Sequence, residues 1–433
     1  MRKALHPVLV IASREVRDQF RDWRIIFPIL GLTIFFPFLM NFTASQMLGF
    51  VNKYGAGIIG ERLVPFLLMI VGFFPISVSL VIALESFVGE KERGSIEPLL
   101  NTPLQDWQLY LGKLLSSTVP PLVSSYLGMS VYMIGLVISH IPLPELPLLF
   151  LVLCISTVQA IMMVAGAVVV SSQATSVRSA NLLSSFIIIP VAFLIQGESL
   201  VMFWGNYATL WWVTFGLSVF TALLIRVGLA HFQREELLGR DIDVLNFRWG
   251  WGVFRSQFTG KAKNIGEWYA KVIPATVSRM RWAILTVILA AIGAVFTGNY
   301  LVTVFPITLP RGEPEIATRI QGLLQYWPLF SLAPAVAVWW QNVRALIVGM
   351  ILGVFSFGIL GILPLFITMT TIGYLFQTLI NNGLPSGLYM TGLILPHGLV
   401  EIPAAILATS AVIYAGAKMA TPTVLETFGE TSI

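Results

Sequence analysis

Residues 3–24 place Leu5, Val8, Leu9, Ala12, Val16, Phe20 and Trp23 at spacings of three and four, with Arg14, Glu15, Arg17, Asp18, Arg21 and Asp22 between them. That period predicts an amphipathic helix lying in an interface. A long apolar run follows at once, so an elbow helix along the membrane surface is expected rather than a free-standing anchor. A cleavable signal is rejected, because about two dozen amphipathic residues precede the first apolar run. Six apolar runs follow, at 25–42, 63–84, 109–139, 146–170, 182–196 and 210–226. About 20 helical residues cross a hydrocarbon core of about 30 Å, so each can span. The fifth is the shortest, and residues 204–212 behind it are expected to be interfacial or re-entrant.

The second half repeats the pattern less cleanly. Its pieces are 282–305, an external segment 306–327 with Pro306, Pro310 and Pro314, a short piece 329–340, then 343–371, 372–379 and 388–416. The 329–340 piece is too short to span and is expected to be interfacial or re-entrant. The fold class read from this pattern is an all-α polytopic membrane protein with about ten membrane segments and an N-terminal elbow helix.

Composition agrees. Of 433 residues 56% are hydrophobic and only 11% charged, too little charge for a soluble chain of this size. The net charge of +5 does not point to nucleic acid, because the cations sit at the ends of apolar runs. Counting Lys and Arg gives 21 in the N-terminus, the 85–113 segment and alternate loops from there, against 4 in the others. The asymmetry predicts a cytoplasmic N-terminus and a cytoplasmic 85–113 segment. The single cysteine, Cys154, lies in an apolar run and excludes an internal disulfide.

Residues 85–113, ESFVGEKERGSIEPLLNTPLQDWQLYLGK, form a charged break between two apolar runs. Glu85, Glu90, Lys91, Glu92 and Arg93 precede Gly94. Ser95 and Glu97 then read as the start of a short helix carrying the apolar patch Leu99-Leu100, with Pro98 tolerated in its first turn. Pro103 ends it, and Trp107 and Tyr110 are expected to mark re-entry at the membrane interface.

The order Glu85, Glu90-Lys91-Glu92-Arg93, Gly94-Ser95-Ile96-Glu97, Leu99-Leu100, Thr102-Pro103 and Gly112-Lys113 resembles the loop after the second membrane helix of type-2 ABC exporter permeases. Arg14-Glu15-Val16, Asp18 and Arg21-Asp22-Trp23-Arg24 resemble the start of the same family. The resemblance implies a domain at 1–232 with its elbow at 3–24. It implies that Glu85, Glu90, Glu92, Arg93, Gly94, Glu97, Leu99, Leu100 and Pro103 couple the chain to an ATPase. It further implies two P-loop ATPase subunits that bind ATP and Mg, and a second permease, the same chain or another. The chain carries no G-x-x-x-x-G-K-[ST], nucleophile elbow or H-E-x-x-H, so ATP hydrolysis is expected on a partner and no cofactor in this chain.

Residues 233–281 read as a basic connector with scattered aromatics, either a plain positive-inside linker with interfacial Trp or a segment suited to anionic lipid heads or to the ATPase. Beyond it, Gln341-Asn342-Val343-Arg344, Gly349, Gly353, Gly358, Gly361, Asn382-Gly383, Leu395-Pro396-His397-Gly398 and Glu401-Ile402-Pro403-Ala404 resemble stage II sporulation protein M. That sets a second membrane domain at 282–420 and a tail at 421–433. His397 and Glu401 stand one helical turn apart and are expected to be hydrogen-bonded together, with Asn342, Arg344, Asn381 and Asn382 as candidate partners. Two readings fit: a proton or substrate relay, or a polar clamp for carbonyls freed at proline. One His and one Glu are too few for a metal. Gly349-x-x-x-Gly353 predicts tight internal packing more than a dimer seam.

The function expected is a permease subunit of an ABC transporter working as an exporter. The rivals are an ATP-driven mechanotransmitter to a cell-wall enzyme, and a secondary transporter or channel built on His397 and Glu401.

Overall fold

The computed structural model describes residues 2–54, 57–94, 101–174, 176–205, 207–232, 247–260, 262–307, 332–387, 390 and 394–421. All regular structure among them is helical, and ten helices are long and apolar enough to cross a membrane. The chain divides into two compact units, residues 1–245 and 246–433.

The first unit holds α1 (Arg2–Gln19), α2 (Trp23–Tyr54), α3 (Gly57–Glu92), α4 (Asp106–Ile138), α5 (Leu146–Gln173), α6 (Val177–Phe203) and α7 (Tyr207–His231). α3 is its axis. It packs against α2, α4, α5 and α6, and 69% of its membrane window is buried, against 22% for α2. Outward apolar residues such as Phe27, Phe35 and Phe38 are exposed, as suits helices whose outer faces meet lipid rather than water.

Several boundaries differ from those expected. The elbow ends at Gln19 rather than residue 24, and Asp22 opens the turn into α2, its carbonyl accepting from Ile26 N–H (3.1 Å). The inward face of α1 also differs. Val8 is buried and Ile11 packs on Gly112 of α4, while the apolar Leu5 and Leu9 are exposed. Glu15, expected on the polar side, faces the protein. The shortest apolar run, 182–196, is part of the 27-residue helix α6, because helical hydrogen bonding continues through polar Asn181 and Glu198 where hydropathy falls. Residues 204–212 are not a re-entrant piece: Trp204 caps α6, Gly205 turns the chain at φ +76°, and α7 begins at Tyr207. Glu85 to Glu92 are not loop residues either, since α3 continues straight through them.

The second unit holds α8 (Phe247–Thr259), a helical segment at 265–279 with a π-helical turn at Trp268–Val272, then α9 (Arg281–Val304), α10 (Leu332–Phe355), α11 (Leu363–Asn381) and α12 (Leu395–Ala420). Of the piece expected at 329–340, residues 332–340 lie within α10, which runs on through Gln341 to Arg344, and residues 329–331 fall outside the described residues. The run 343–371 is broken instead at Ser356–Gly358, a turn of small and apolar residues that hydropathy cannot register. Gly358 there has φ +91°, and Ser356 Oγ accepts from Leu360 N–H at 2.7 Å. Residues 372–379 are simply the later turns of α11.

α9 and α11 cross through glycine. A Cβ on Gly298 would collide with the Thr370 carbonyl oxygen and lie 2.6 Å from the Tyr374 amide nitrogen, and one on Gly373 would collide with the Val295 carbonyl. Gly349 and Gly353 also serve contacts inside this unit, against Gly361 and against Val412 of α12 respectively.

Candidate functional site

The last turns of α3 carry three carboxylates where the helix dipole is negative, an arrangement that needs compensation. Each acid has a partner. Glu85 lies 3.8 Å from the Arg93 guanidinium, which also folds back to donate to the Gly89 carbonyl at 3.2 Å. Glu90 pairs with Lys113 of α4. Glu92 accepts from the Val177 main-chain N–H at 2.7 Å, which places its charge at the favourable N-terminus of α6, beside the Ser176 cap. Gly94 then ends the helix in the left-handed region, φ +67°, where glycine carries no Cβ strain.

Lys113 is the hub. Its side chain is 1% exposed and also reaches Glu15 of α1 at 3.1 Å, so one ammonium joins the elbow, the end of α3 and the start of α4. Gly112 makes this possible: a Cβ there would stand 2.8 Å from Ile11 Cγ2, so only glycine lets α1 close onto α4. Behind the hub, Phe232 packs between Phe87 of α3 and Tyr110 of α4, with centroids 5.0 and 5.7 Å away. Tyr110 is fully buried against Gly228 of α7, rather than marking an interface as expected. Ser171 of α5 adds a staple, its Oγ accepting from the main-chain N–H groups of Phe87 (3.0 Å) and Val88 (3.2 Å).

Of the residues expected to couple to an ATPase, Glu85, Glu90, Glu92, Arg93 and Gly94 therefore gather on the last turns of α3. Pro103 lies exposed in a bend just before α4. Glu97, Leu99 and Leu100, and the short helix expected around them, fall outside the described residues. α4 starts from Gln105, whose N–H donates to Gln108 Oε1 at 3.0 Å.

Most of these residues, Gly228 and Phe232 apart, fall within a region matched by a known family. Residues 9–207 match the family described as ABC-2 family transporter protein, and residues 282–432 match stage II sporulation protein M. The chain joins an ABC-2 transporter domain to a stage II sporulation protein M domain. No curated protein matches it. It is a multi-pass membrane protein whose first domain is an ABC-transporter permease, a non-catalytic membrane component of a family that works with ATPase subunits.

Inside the permease domain, Glu198 of α6 is 2% exposed and accepts from the Gln159 amide of α5 at 2.6 Å. This pair did not emerge from the sequence. The signal for it was an amide within one apolar run and an acid just past the end of the next, 39 residues apart, and nothing in the pattern joins them. Glu198→Gln keeps an acceptor for Gln159 and is expected to leave the melting temperature of the detergent-extracted chain near the wild-type value. Glu198→Ala strands a buried amide and should lower stability by about 1–3 kcal/mol. Equal melting curves for the two variants would rule the pair out as a structural contact.

In the stage II sporulation protein M domain, Asn342 of α10 and Glu401 of α12 line one cavity of about 240 Å³, otherwise walled mainly by small and apolar residues such as Ala345, Gly349 and Ala405. The rest of the expected polar cluster is elsewhere. Arg344 is exposed and donates to Gln341 at 2.5 Å. Asn382 donates to the Ile307 carbonyl at 3.0 Å, tying the end of α11 to the chain after α9, and Asn381 accepts from Gln377. The side chain of His397 lies outside the described residues. Among the described residues no group of three or more His, Cys, Asp or Glu could hold a metal ion.

Proposed function

We propose that the chain is the permease subunit of an ABC exporter, with its N-terminus and the 85–113 segment cytoplasmic, and that separate ATPase subunits dock on that segment. The observation that carries this reading is the Lys113 hub. A force applied to the loop between α3 and α4 meets no slack, because the loop's two flanking helices and the elbow are held by one buried ammonium. α3 is about 54 Å long at 1.5 Å per residue, so a tilt imposed at Glu92 would be carried along the axis of the domain. ATPase closure would thus move α1, α3 and α4 together, a rigid-body switch between two arrangements. Two ATPase subunits, ATP and Mg on those subunits, and a second permease complete the assembly, with the pathway between the permeases.

The test is extraction of the tagged chain in mild detergent, identification of co-purifying subunits by mass spectrometry, and ATPase assay of the eluate. A P-loop ATPase is expected to co-purify and to be lost when residues 95–100 are replaced by a flexible linker. Retention of a stimulated ATPase on the linker variant would overturn the docking assignment.

The cavity holding Asn342 and Glu401 favours a second reading, in which the C-terminal domain itself passes a solute. That reading expects Glu401→Gln to abolish flux while ATPase stimulation persists, and it fails if flux is unchanged.

A further inference from the structure

The connector ahead of α9 carries an aromatic stripe that is exposed among the described residues. On α8, Trp251, Phe254 and Phe258 recur at spacings of three and four and fall within one narrow arc of the helix. Trp251 is 67% exposed, Phe254 49% and Phe258 55%. These rings do not point apart: Trp251 stacks on Phe254 at 5.4 Å and Phe254 on Phe258 at 5.7 Å, and Trp268 of the following segment continues the row at 5.1 Å.

The hairpin that extends the row is built tightly. Gly260 turns the chain at φ +54° and would clash with Val272 if it carried a Cβ. Asn264 caps the second arm by accepting from Glu267 N–H at 2.7 Å, and Trp268 Nε1 donates back to the Phe258 carbonyl at 2.7 Å. Tyr269 stands at right angles to Trp268 and is 62% exposed. The second arm leads through Met280 into the membrane helix α9, where Arg281 lies over the Trp282 ring at 5.7 Å.

Charge says what covers this face. Arg248, Arg255, Lys263, Lys271, Arg279 and Arg281 are exposed along the hairpin and its junction, and Arg248 and Arg255 flank one edge of the stripe. Glu267 is the one acid in residues 247–281. It is already engaged: the Lys263 N–H and then the Lys271 ammonium, each at 3.0 Å, hold its carboxyl below the usual carboxylate range.

We propose that residues 247–272 form a membrane-surface hairpin that seats the Trp251, Phe254 and Phe258 stripe among lipid headgroups and recognises anionic phospholipid through Arg248 and Arg255. A bare aromatic row would suit any apolar partner. The combination of indole rings, flanking guanidinium groups, a nearly acid-free segment and direct continuity with a membrane helix fits the negatively charged bilayer surface. The docked hairpin would fix the direction from which the connector enters α9. Its consequence is a dependence of the C-terminal unit on the charge of the surrounding lipid.

The test uses the full chain in lipid nanodiscs, with Cys154 replaced and a single cysteine bearing an environment-sensitive fluorophore at position 251, 254 or, on the opposite face of α8, 256. The bilayer carries brominated acyl chains as quencher, in either phosphatidylcholine alone or a mixture with phosphatidylglycerol. Labels at 251 and 254 are expected to be quenched in the anionic bilayer and the label at 256 is not. Arg248→Gln with Arg255→Gln should lower the ratio of docked to free hairpin about 25-fold, from a factor of about 5 for each cation near the surface. High salt should act in the same direction. Equal quenching at 251, 254 and 256, or equal quenching at 251 in neutral and anionic bilayers, would overturn the proposal. So would a label at 251 that becomes shielded only when an ATPase subunit is added, since the occupant would then be protein.

Discussion

Lys113→Met is expected to destabilise the permease domain by about 3 kcal/mol, the lower end of the range for stranding buried charge. The side chains of Glu15 and Glu90 are about a fifth to a quarter exposed, so water relieves part of the cost that two fully buried carboxylates would suffer. The loss should appear as a lower melting temperature of the chain in nanodiscs. It should also appear as uncoupling, since α1, α3 and α4 would no longer move as one body. Lys113→Met combined with Glu90→Gln and Glu15→Gln removes the stranded charges and should recover most of the stability, because an uncharged cluster of similar volume avoids the desolvation cost altogether. The recovered stability should not restore coupling. A triple variant as unstable as Lys113→Met would mean that the lysine acts by packing its alkyl stem and not by pairing.

The crossing of α9 and α11 yields the second large effect. Helix propensity alone predicts that Gly298→Ala stabilises α9 by up to about 1 kcal/mol. The tertiary contact predicts the reverse sign. The new methyl would meet the Thr370 carbonyl and the Tyr374 amide nitrogen, which are main-chain atoms that no rotamer change can move aside. Overpacking of this kind costs about 1–3 kcal/mol, and main-chain obstruction belongs at the upper end. Gly373→Ala should act in the same direction through the Val295 carbonyl, and the double variant should fall short of additivity, since one forced separation relieves both clashes. Melting temperatures of the two single variants and the double decide it. A rise for Gly298→Ala would show that the helices do not approach this closely.

Much of this architecture was legible because hydropathy responds to what membranes demand. Apolar runs of about 20 residues announce spans whatever they pack against, and amphipathic period announces a surface helix. The ordered acids, Gly94 and Gly112-Lys113 marked the stretch on which the candidate site is built. Hydropathy misplaces ends for an equally physical reason. It reads side chains, whereas helices are continued by main-chain hydrogen bonds that polar residues do not interrupt. α6 therefore passes through Glu198 and α10 through Gln341 to Arg344, while the break at Ser356–Gly358, made of small and apolar residues, went unseen.

Sequence by itself determined that this is a polytopic helical membrane protein of about ten spans, with a basic stretch between two family-like regions. Those properties follow from local composition and from motifs contiguous in the chain. Tertiary structure alone decided the partners. Glu15 belongs to the polar side of its helix by periodicity, yet it turns inward because α1 lies against Gly112 and meets Lys113, 98 residues away in the chain. Gln159 finds Glu198, and Gly298 meets the main chain of Thr370 and Tyr374, by the same kind of long-range meeting. A charge or a glycine announces that something must satisfy it or pass close by, and only the packing of distant helices says which residue does.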